Sequence, residues 1–223
     1  MKKIIIFFGP PGSGKGTQSD ILGKKLKLPV ISLGELLRHE EEKKTNLGLK
    51  VASNLAKGKL VSDKIIEKML DKRMVKSDTV KGFILDGYPR RGDQLNSFKK
   101  RLTKIIKSGD LILSIYIDVS DREVKKRVSG RRVCDCGAAY HVVYNPPRKK
   151  DICDLCGKKI TQREDDKPKV VRDRLIHFHK VMKPIINYFK NDYLFIEVNG
   201  EQSIKKIEKE IYKKVKDLIS KNG

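Results

Sequence analysis

The stretch Gly9-Pro-Pro-Gly-Ser-Gly-Lys-Gly-Thr17 follows directly on the apolar run Lys2–Phe8. It holds the pattern G-x-x-x-x-G-K over Gly9–Lys15, although the Ser or Thr usual after the lysine is Gly16 here and Thr17 comes one position later. A strand that runs into this loop and then into a helix leaves few folds open. Glycines allow backbone angles that turn successive N–H groups into one concavity, where they bind phosphate oxygens. The start of the helix adds its positive end. Lys15 supplies a point charge between phosphates, and Ser13 or Thr17 can donate further. Gly12, Ser13, Gly14, Lys15, Gly16 and Thr17 are therefore candidate nucleotide-phosphate ligands. A plain Gly-Pro turn with a surface lysine is the competing reading, and it leaves the strand–loop–helix placement unexplained.

Strand-length apolar runs recur at Leu28–Leu33, Gly82–Tyr88, Leu111–Val119 and Tyr193–Val198. They are nearly continuous rather than alternating, which suits strands buried on both faces of a parallel sheet. Val170, Val171, Leu175, Phe178, Val181, Met182 and Ile185 mark one helix, with a kink expected at Pro184. Ile204, Ile207, Ile211, Val215 and Leu218 mark the last. Strands alternating with helices predict an α/β fold with right-handed crossovers, a P-loop-type parallel sheet flanked by helices. Two stretches interrupt the alternation. Ser32–Val61 reads as a helical excursion, and Arg131 to about Lys167 holds all four cysteines with little helical periodicity. The expected organisation is a core of residues 1–31, 62–129 and 168–223, an inserted arm at 32–61 and a small inserted lid at 130–167.

The 223 residues suffice for one large domain or a core with insertions. No apolar run approaches bilayer-spanning length. The apolar N-terminus is too short for a signal peptide and runs into the glycine loop, so an intracellular, cytoplasmic protein is expected. The formal net charge is +23, from 51 Lys and Arg against 28 Asp and Glu. That excess is a usual footprint of a nucleic-acid binder. The lysines, however, are interspersed with acidic residues along helices, as in Glu201–Glu210. Dispersed lysine reads as a solvated basic surface rather than a binding stripe.

Taken together, the motifs resemble those of the adenylate kinases. The phosphate loop with Gln18 beyond it is similar to theirs. Ile31–Arg38 resembles the start of the family's monophosphate-binding subdomain, and Gly58–Asp63 resembles its end. Phe83–Arg90, with Gln94 beyond, resembles the family's Asp-Gly-Phe-Pro-Arg signature. Gly130–Val133 resembles the opening of the lid, and Arg163–Asp166 with Arg174 its close. The resemblance covers essentially the whole chain and matches the long form, whose lid carries zinc. It implies reversible phosphoryl transfer from MgATP to AMP, giving two ADP.

Bringing two polyanions together makes catalysis mostly charge neutralisation and in-line positioning, with water kept out. No protein nucleophile is needed, because the AMP phosphate attacks. The resemblance gives Lys15 the transferred phosphoryl group, and Arg38 and Arg90 the AMP phosphate. It brings Arg131 and Arg163 in from the lid, with Arg127 and Arg174 at its base. Arginine suits these roles through its planar fork and permanent charge. Arg132 is a weaker match than its neighbour. Asp86 would hold water on Mg²⁺. Gln94 carries a donor and an acceptor on one amide, which fits the adenine edge of AMP. Leu33, Lys59, Leu60, Val61, Gly87, Tyr88 and Pro89 would line the same pocket. Leu33 stands where the family often has Thr, and this invites as the alternative another monophosphate acceptor (UMP or CMP), or GTP as the donor. On the ATP side the resemblance implies Ala139, Tyr140 and Gln202.

Cys134 and Cys136 form one knuckle, and Cys153 and Cys156 another, with sixteen residues between the two. Four thiolates suit structural Zn²⁺, and a lid this small has little core of its own to hold it. The first knuckle is one residue shorter than C-x₂-C. Free thiols or disulfides compete with zinc, and disulfides are disfavoured in a reducing compartment. His141 reads as a stray ligand or as a residue on the nucleotide-facing side of the lid. His177 and His179 read as structural or surface residues, and His39 has no evident task. The expected partners are ATP, AMP and ADP, with no specific nucleic acid, no membrane and a monomeric state. A zinc-ribbon protein that binds nucleic acid and switches with nucleotide is the reading from another class.

Overall fold

The computed structural model describes residues 1–43, 45–56 and 61–222. Along the chain the strands are β1 (Lys3–Phe8), β2 (Val30–Ser32), β3 (Gly82–Asp86), β4 (Leu111–Asp118), β5 (Arg131–Val133), β6 (Ala139–His141) and β7 (Leu194–Asn199). The α-helices are α1 (Lys15–Leu26), α2 (Leu33–Glu42), α3 (Asn46–Ala56), α4 (Asp63–Met74), α5 (Gly92–Ile105), α6 (Asp121–Gly130), α7 (Pro168–Asp192) and α8 (Ile204–Asn222).

Ile4 to Phe8 are each no more than 2 % exposed. A strand apolar at every position can be satisfied only in the middle of a sheet with helices on both faces. β1 occupies that place in a five-stranded sheet of order β2-β3-β1-β4-β7, parallel at every pairing. Its alternate side chains feed two cores. Ile4, Ile6 and Phe8 pack with α4, α5 and the C-terminal half of α7 through Leu70, Phe98 and Phe189. Ile5 and Phe7 pack on the other face with α1, α6 and α8 through Leu22, Val124 and Ile211. The long helix α7 serves both. Val171 and Leu175 belong to the second core, and Met182, Ile185 and Phe189 to the first. It runs through Pro184 without interruption.

Two strands are shorter than the sequence suggests. The run Leu28–Leu33 contributes only Val30–Ser32. Pro29 enters the sheet solely as an acceptor, from the Ile84 N–H at 2.9 Å, and Leu33 already opens α2. The run Gly82–Tyr88 stops at Asp86, because Gly87 takes φ +78° and turns the chain away.

The carboxyl ends of β1, β2 and β3 release the Gly9–Gly14 loop, the start of α2 and Asp86 at one edge of the sheet. That edge is where ligands sit in open parallel sheets. Above it, β5 and β6 form an antiparallel hairpin with Arg131 opposite His141 and Val133 opposite Ala139. Isolated bridges join Val133 to Thr161 and Ile152 to Lys159. The buried apolar cluster of this segment consists of Cys134, Tyr140, Cys153 and Ile160.

Phe189 is 0 % exposed, with ring centroids 4.9 Å from Phe8 and 5.8 Å from Tyr193. Phe189→Ala should lower unfolding stability by about 3–5 kcal/mol, read from the shift in chemical denaturation midpoint. A loss below about 1 kcal/mol would mean that this core closes up around the cavity.

Candidate active site

Helix α1 begins at Lys15 with Gly14 as N-cap at φ +91°, a left-handed conformation that a side chain would strain. Its first turn carries no acidic residue, so its positive end is uncompensated from within. Gly12, at φ +76°, lies so near α6 that a Cβ would meet Val128 Cγ2 at 2.5 Å. Lys15 Nζ reaches back to the Pro10 carbonyl at 3.1 Å. Ser13 is 1 % exposed and its buried hydroxyl has no hydrogen-bond partner. From α6, Arg127 donates to the Ser13 carbonyl at 3.4 Å and to Glu123 Oε1 at 2.7 Å. Thr17 is exposed.

Cations gather opposite this loop. Burial lowers the Lys15 ammonium to about 8, against the pull of Asp86 and with help from Arg90, Arg174 and Arg131. Burial, then the Arg174 charge, brings Arg90 down to about 10. Burial, then Arg131 and Arg38, does the same to Arg163, whose buried Nε has no partner. Arg174 is lowered by burial in spite of Asp165. Carboxylates hold part of the set in place. Arg174 donates to Asp165 Oδ2 at 2.6 Å, and Arg131 makes a two-pronged pair with Asp166, which is 2 % exposed. Burial would raise the Asp165 carboxyl, but Arg174, Arg131, Arg163 and Arg38 together hold it below the usual carboxylate range. Arg132 instead turns to the carbonyls of Ser129 and Arg131. Six of the basic residues named from the sequence (Lys15, Arg38, Arg90, Arg131, Arg163 and Arg174) thus feel one another's fields. Arg127 stands beside them on the loop.

Asp86 ends β3 next to the loop. Ser32 Oγ donates to its Oδ2 at 3.3 Å, while its buried Oδ1 has no partner. Glu35 and Asp20 lie close by. The Asp20 carboxyl is pushed up to about 6 by desolvation, then by the Glu35 and Asp86 carboxylates. The unpartnered buried Oδ1 of Asp86 suits the water shell of a hard divalent cation bound together with phosphate. Glu35 and Asp20 were not evident as part of this group in the sequence, where nothing marks an acidic residue on a helix as facing a strand end.

Near the turn after β3, Arg90 Nε donates to the Gly87 carbonyl at 2.5 Å. The Tyr88–Pro89 peptide is cis. Tyr88 is 0 % exposed and its hydroxyl donates to the Gln94 carbonyl at 3.2 Å. Gln94, on α5, is wholly buried and joined to Arg90 and to Asp63 of α4. Leu33, Leu37, Val61 and Tyr88 belong to one buried cluster, so the side chain that replaces a hydroxyl at Leu33 is packed inside the apolar interior. Lys59 and Leu60 lie outside the described residues.

In the hairpin segment, the Tyr140 hydroxyl accepts from the Asp154 N–H at 2.7 Å and lies 3.4 Å from Cys153 Sγ. Its side chain is therefore committed inside the segment, and any contact it makes with a ligand comes from its backbone. Ala139 is exposed, and Gln202 donates to the Asn199 carbonyl at 3.2 Å. The sulfurs of Cys134, Cys136, Cys153 and Cys156 all lie within 4.8 Å of one another, with Cys134 and Cys156 at 3.4 Å. A tetrahedral zinc with sulfur at about 2.3 Å sets its ligands about 3.8 Å apart. The cluster fits such an ion in spite of the shortened first knuckle. His141 stays outside it. Its Nδ1 accepts from the backbones of Val143 and Tyr144 at 3.0 and 3.1 Å. His179 reaches across to Asp121 at 2.8 Å, and His177 faces the other way, with a buried, unpartnered Nε2.

A family model described as adenylate kinase matches residues 7–194. A Methanocella arvoryzae adenylate kinase is 40 % identical over 215 residues, covering 96 % of this chain and 99 % of its own. One from Methanosarcina barkeri is 41 % identical over 217 residues, 97 % of this chain and 98 % of its own. One from Caldicellulosiruptor saccharolyticus is 40 % identical over 210 residues, 94 % and 97 % respectively.

The lowered Lys15 pKa is also a statement about stability. Between about pH 8 and 10.5 the unfolded chain holds a proton on Lys15 that the folded chain has released. Stability from this residue therefore rises with pH across that window. Relative to Lys15→Met, the parent should gain up to about 3 kcal/mol between pH 7.5 and 10.5, read from denaturation at each pH. Parallel curves would show an ordinary lysine.

Proposed function

The chain belongs to the adenylate kinase family, and from that membership we propose how its residues divide the work of moving a phosphoryl group from MgATP to AMP, giving two ADP. One observation carries the assignment. Lys15, Arg90, Arg163 and Arg174 are desolvated against one another, beside a buried Ser13 hydroxyl with no partner. Like charges partly withdrawn from water call for polyanions to complete them.

On this reading the backbone of Gly12–Thr17 and the Ser13 hydroxyl cradle the ATP phosphates. Lys15 stabilises the phosphoryl group in transfer. Arg38 and Arg90 hold the AMP phosphate in line. Arg131 and Arg163 approach from residues 130–167, the lid, and Arg127 and Arg174 stand at its base. Asp166 and Asp165 orient Arg131 and Arg174 ahead of closure, so reorientation of these two adds little to the barrier. Mg²⁺ bound with ATP neutralises phosphate charge, and Asp86, with Glu35 near it, would hold its water shell. Gln94 faces the AMP base, with Leu33, Val61, Gly87, Tyr88 and Pro89 around it. Residues 32–61 close over AMP and the lid over ATP, which keeps water from the phosphoryl group. Ala139, the Tyr140 backbone and Gln202 serve the adenine of ATP.

We assign the four cysteines a structural Zn²⁺. Among the described residues no helix is long and apolar enough to cross a membrane. A cytoplasmic monomer with no nucleic-acid partner completes the proposal; reduced thiols suit that compartment.

ADP formation from ATP and AMP tests the assignment. Lys15→Ala should lower kcat by about 10²–10³-fold, with the far-UV spectrum unchanged. No loss would remove Lys15 from the reaction, and a parent protein inactive with AMP but active with UMP or CMP would move the acceptor. Protein purified without added metal should hold one zinc per chain, and chelation should lower its melting temperature. Four freely reacting thiols with no metal would overturn the zinc assignment.

A further inference from the structure

Gln94 is 0 % exposed, and partners of opposite kind hold the two ends of its amide. The Arg90 backbone N–H donates to its Oε1 at 2.7 Å, and its Nε2 donates to Asp63 Oδ1 at 2.7 Å. A backbone N–H can only donate, and an ionised carboxylate can only accept. Turning the amide over would set oxygen against carboxylate and NH₂ against N–H, with the amide itself wholly buried and its partners partly so. Asp63 is kept ionised. Burial pushes its carboxyl up, but hydrogen bonds from Arg91 and Gln94 hold it below the usual carboxylate range. Arg91 pairs directly with Asp63 Oδ1. Three segments thus meet here: the start of α4, the turn after β3 and the first turn of α5. Their contacts use one lone pair of Oε1 and one N–H of Nε2. The other lone pair and the other N–H remain, in a fixed order, for a ligand.

We propose that Asp63, clamped by Arg91, is the positioning residue that fixes the Gln94 amide and thereby sets the preference for a 6-amino purine monophosphate over a 6-oxo one. The proposal rests on the reading that Gln94 faces the AMP base. Adenine presents a donor at N6 beside a ring-nitrogen acceptor. Hypoxanthine, nearly the same in shape, presents an acceptor at O6 and a donor at N1. The locked amide offers an acceptor and a donor in the order that complements the first base and opposes the second. Asp63 need not touch the nucleotide to do this. It acts by making one of the two amide orientations costly.

The test compares kcat and KM for AMP and for IMP, with MgATP as donor, in the parent, Asp63→Asn and Gln94→Ala. The Asp63→Asn side chain is the same size but offers Gln94 a donor as well as an acceptor, so only the Arg90 N–H still opposes turning of the amide. The AMP-to-IMP ratio of kcat/KM should fall about tenfold, with the KM for ATP unchanged. Gln94→Ala should lower the same ratio. A structural role alone would weaken both nucleotides equally and leave the ratio at the parent value; that result in Asp63→Asn, with the ratio lowered in Gln94→Ala, overturns the positioning role and leaves the base contact standing. An unchanged ratio in Gln94→Ala overturns the base contact, and the proposal with it. If Asp63→Asn does not fold, Asp63→Ser removes the carboxylate that accepts from Gln94 and leaves Gln94 and Arg91 in place. A severalfold lower ratio is then expected, and an unchanged one overturns the proposal.

Discussion

Lys15, Arg90, Arg163 and Arg174 repel one another, and the fold holds them together partly withdrawn from water. Left to itself such a group would disperse into solvent, because desolvation and like charge both act against it. The rest of the structure can be read as the means of enforcing it. β1, buried on both faces, anchors the loop that carries Lys15. β3, registered against β1 from Lys3–Gly82 to Phe7–Asp86, sets Asp86 and then Arg90 beside it. α7 brings Arg174 in from a helix anchored in both cores. An arginine held this way stays fully charged at neutral pH even when brought down to about 10, whereas Lys15 in the same surroundings comes down to about 8, much nearer to it.

The carboxylates near the cations do not cancel them; they direct them. Asp166 takes Arg131 by both prongs, and Asp165 takes one arm of Arg174. Each pair fixes a guanidinium while leaving donors free for a phosphate. Asp63 acts the same way on a neutral group, fixing the sense of the Gln94 amide. The repeated device is an acidic residue that spends its charge on orientation. It explains why acidic side chains stand within a site meant for anions.

How much of this was legible in the sequence follows from how local each feature is. The phosphate loop is contiguous, and its glycines answer to backbone geometry, so Gly12–Lys15 could be read directly. The sheet was legible because β1, β3 and β4 are apolar at nearly every position. Strand ends were less so: Leu33 is as apolar as a strand residue, and only the turn of the chain into α2 decides its place. Asp63, Asp165 and Asp166 stood in plain view beside residues that were singled out. Their partners lie between 9 and 35 positions away in the chain, and no periodicity marks such pairs. The resemblance puts Tyr140 on the ATP side, but its hydroxyl is spent on Asp154 and Cys153.

Residues 130–167 carry two of the proposed phosphate-binding arginines on very little apolar support. Cys134, Tyr140, Cys153 and Ile160 are its buried cluster. A core of that size cannot by itself hold Arg131 and Arg163 to the tolerance that charge stabilisation requires. Two other restraints are present. Arg131 and Asp166 tie the start of the segment to its end, and the mutual Val133–Thr161 backbone bonds, both 2.8 Å, close the same ring. The four sulfurs gather the outer loops at the far end of the hairpin. A metal there would make the segment a rigid plate hinged at residues 130 and 167, and its motion would then carry both arginines together. On the proposed reading this gives four cysteines a task in so small an insertion: they would hold no phosphate, but a metal on them would let the arginines that do arrive as one unit.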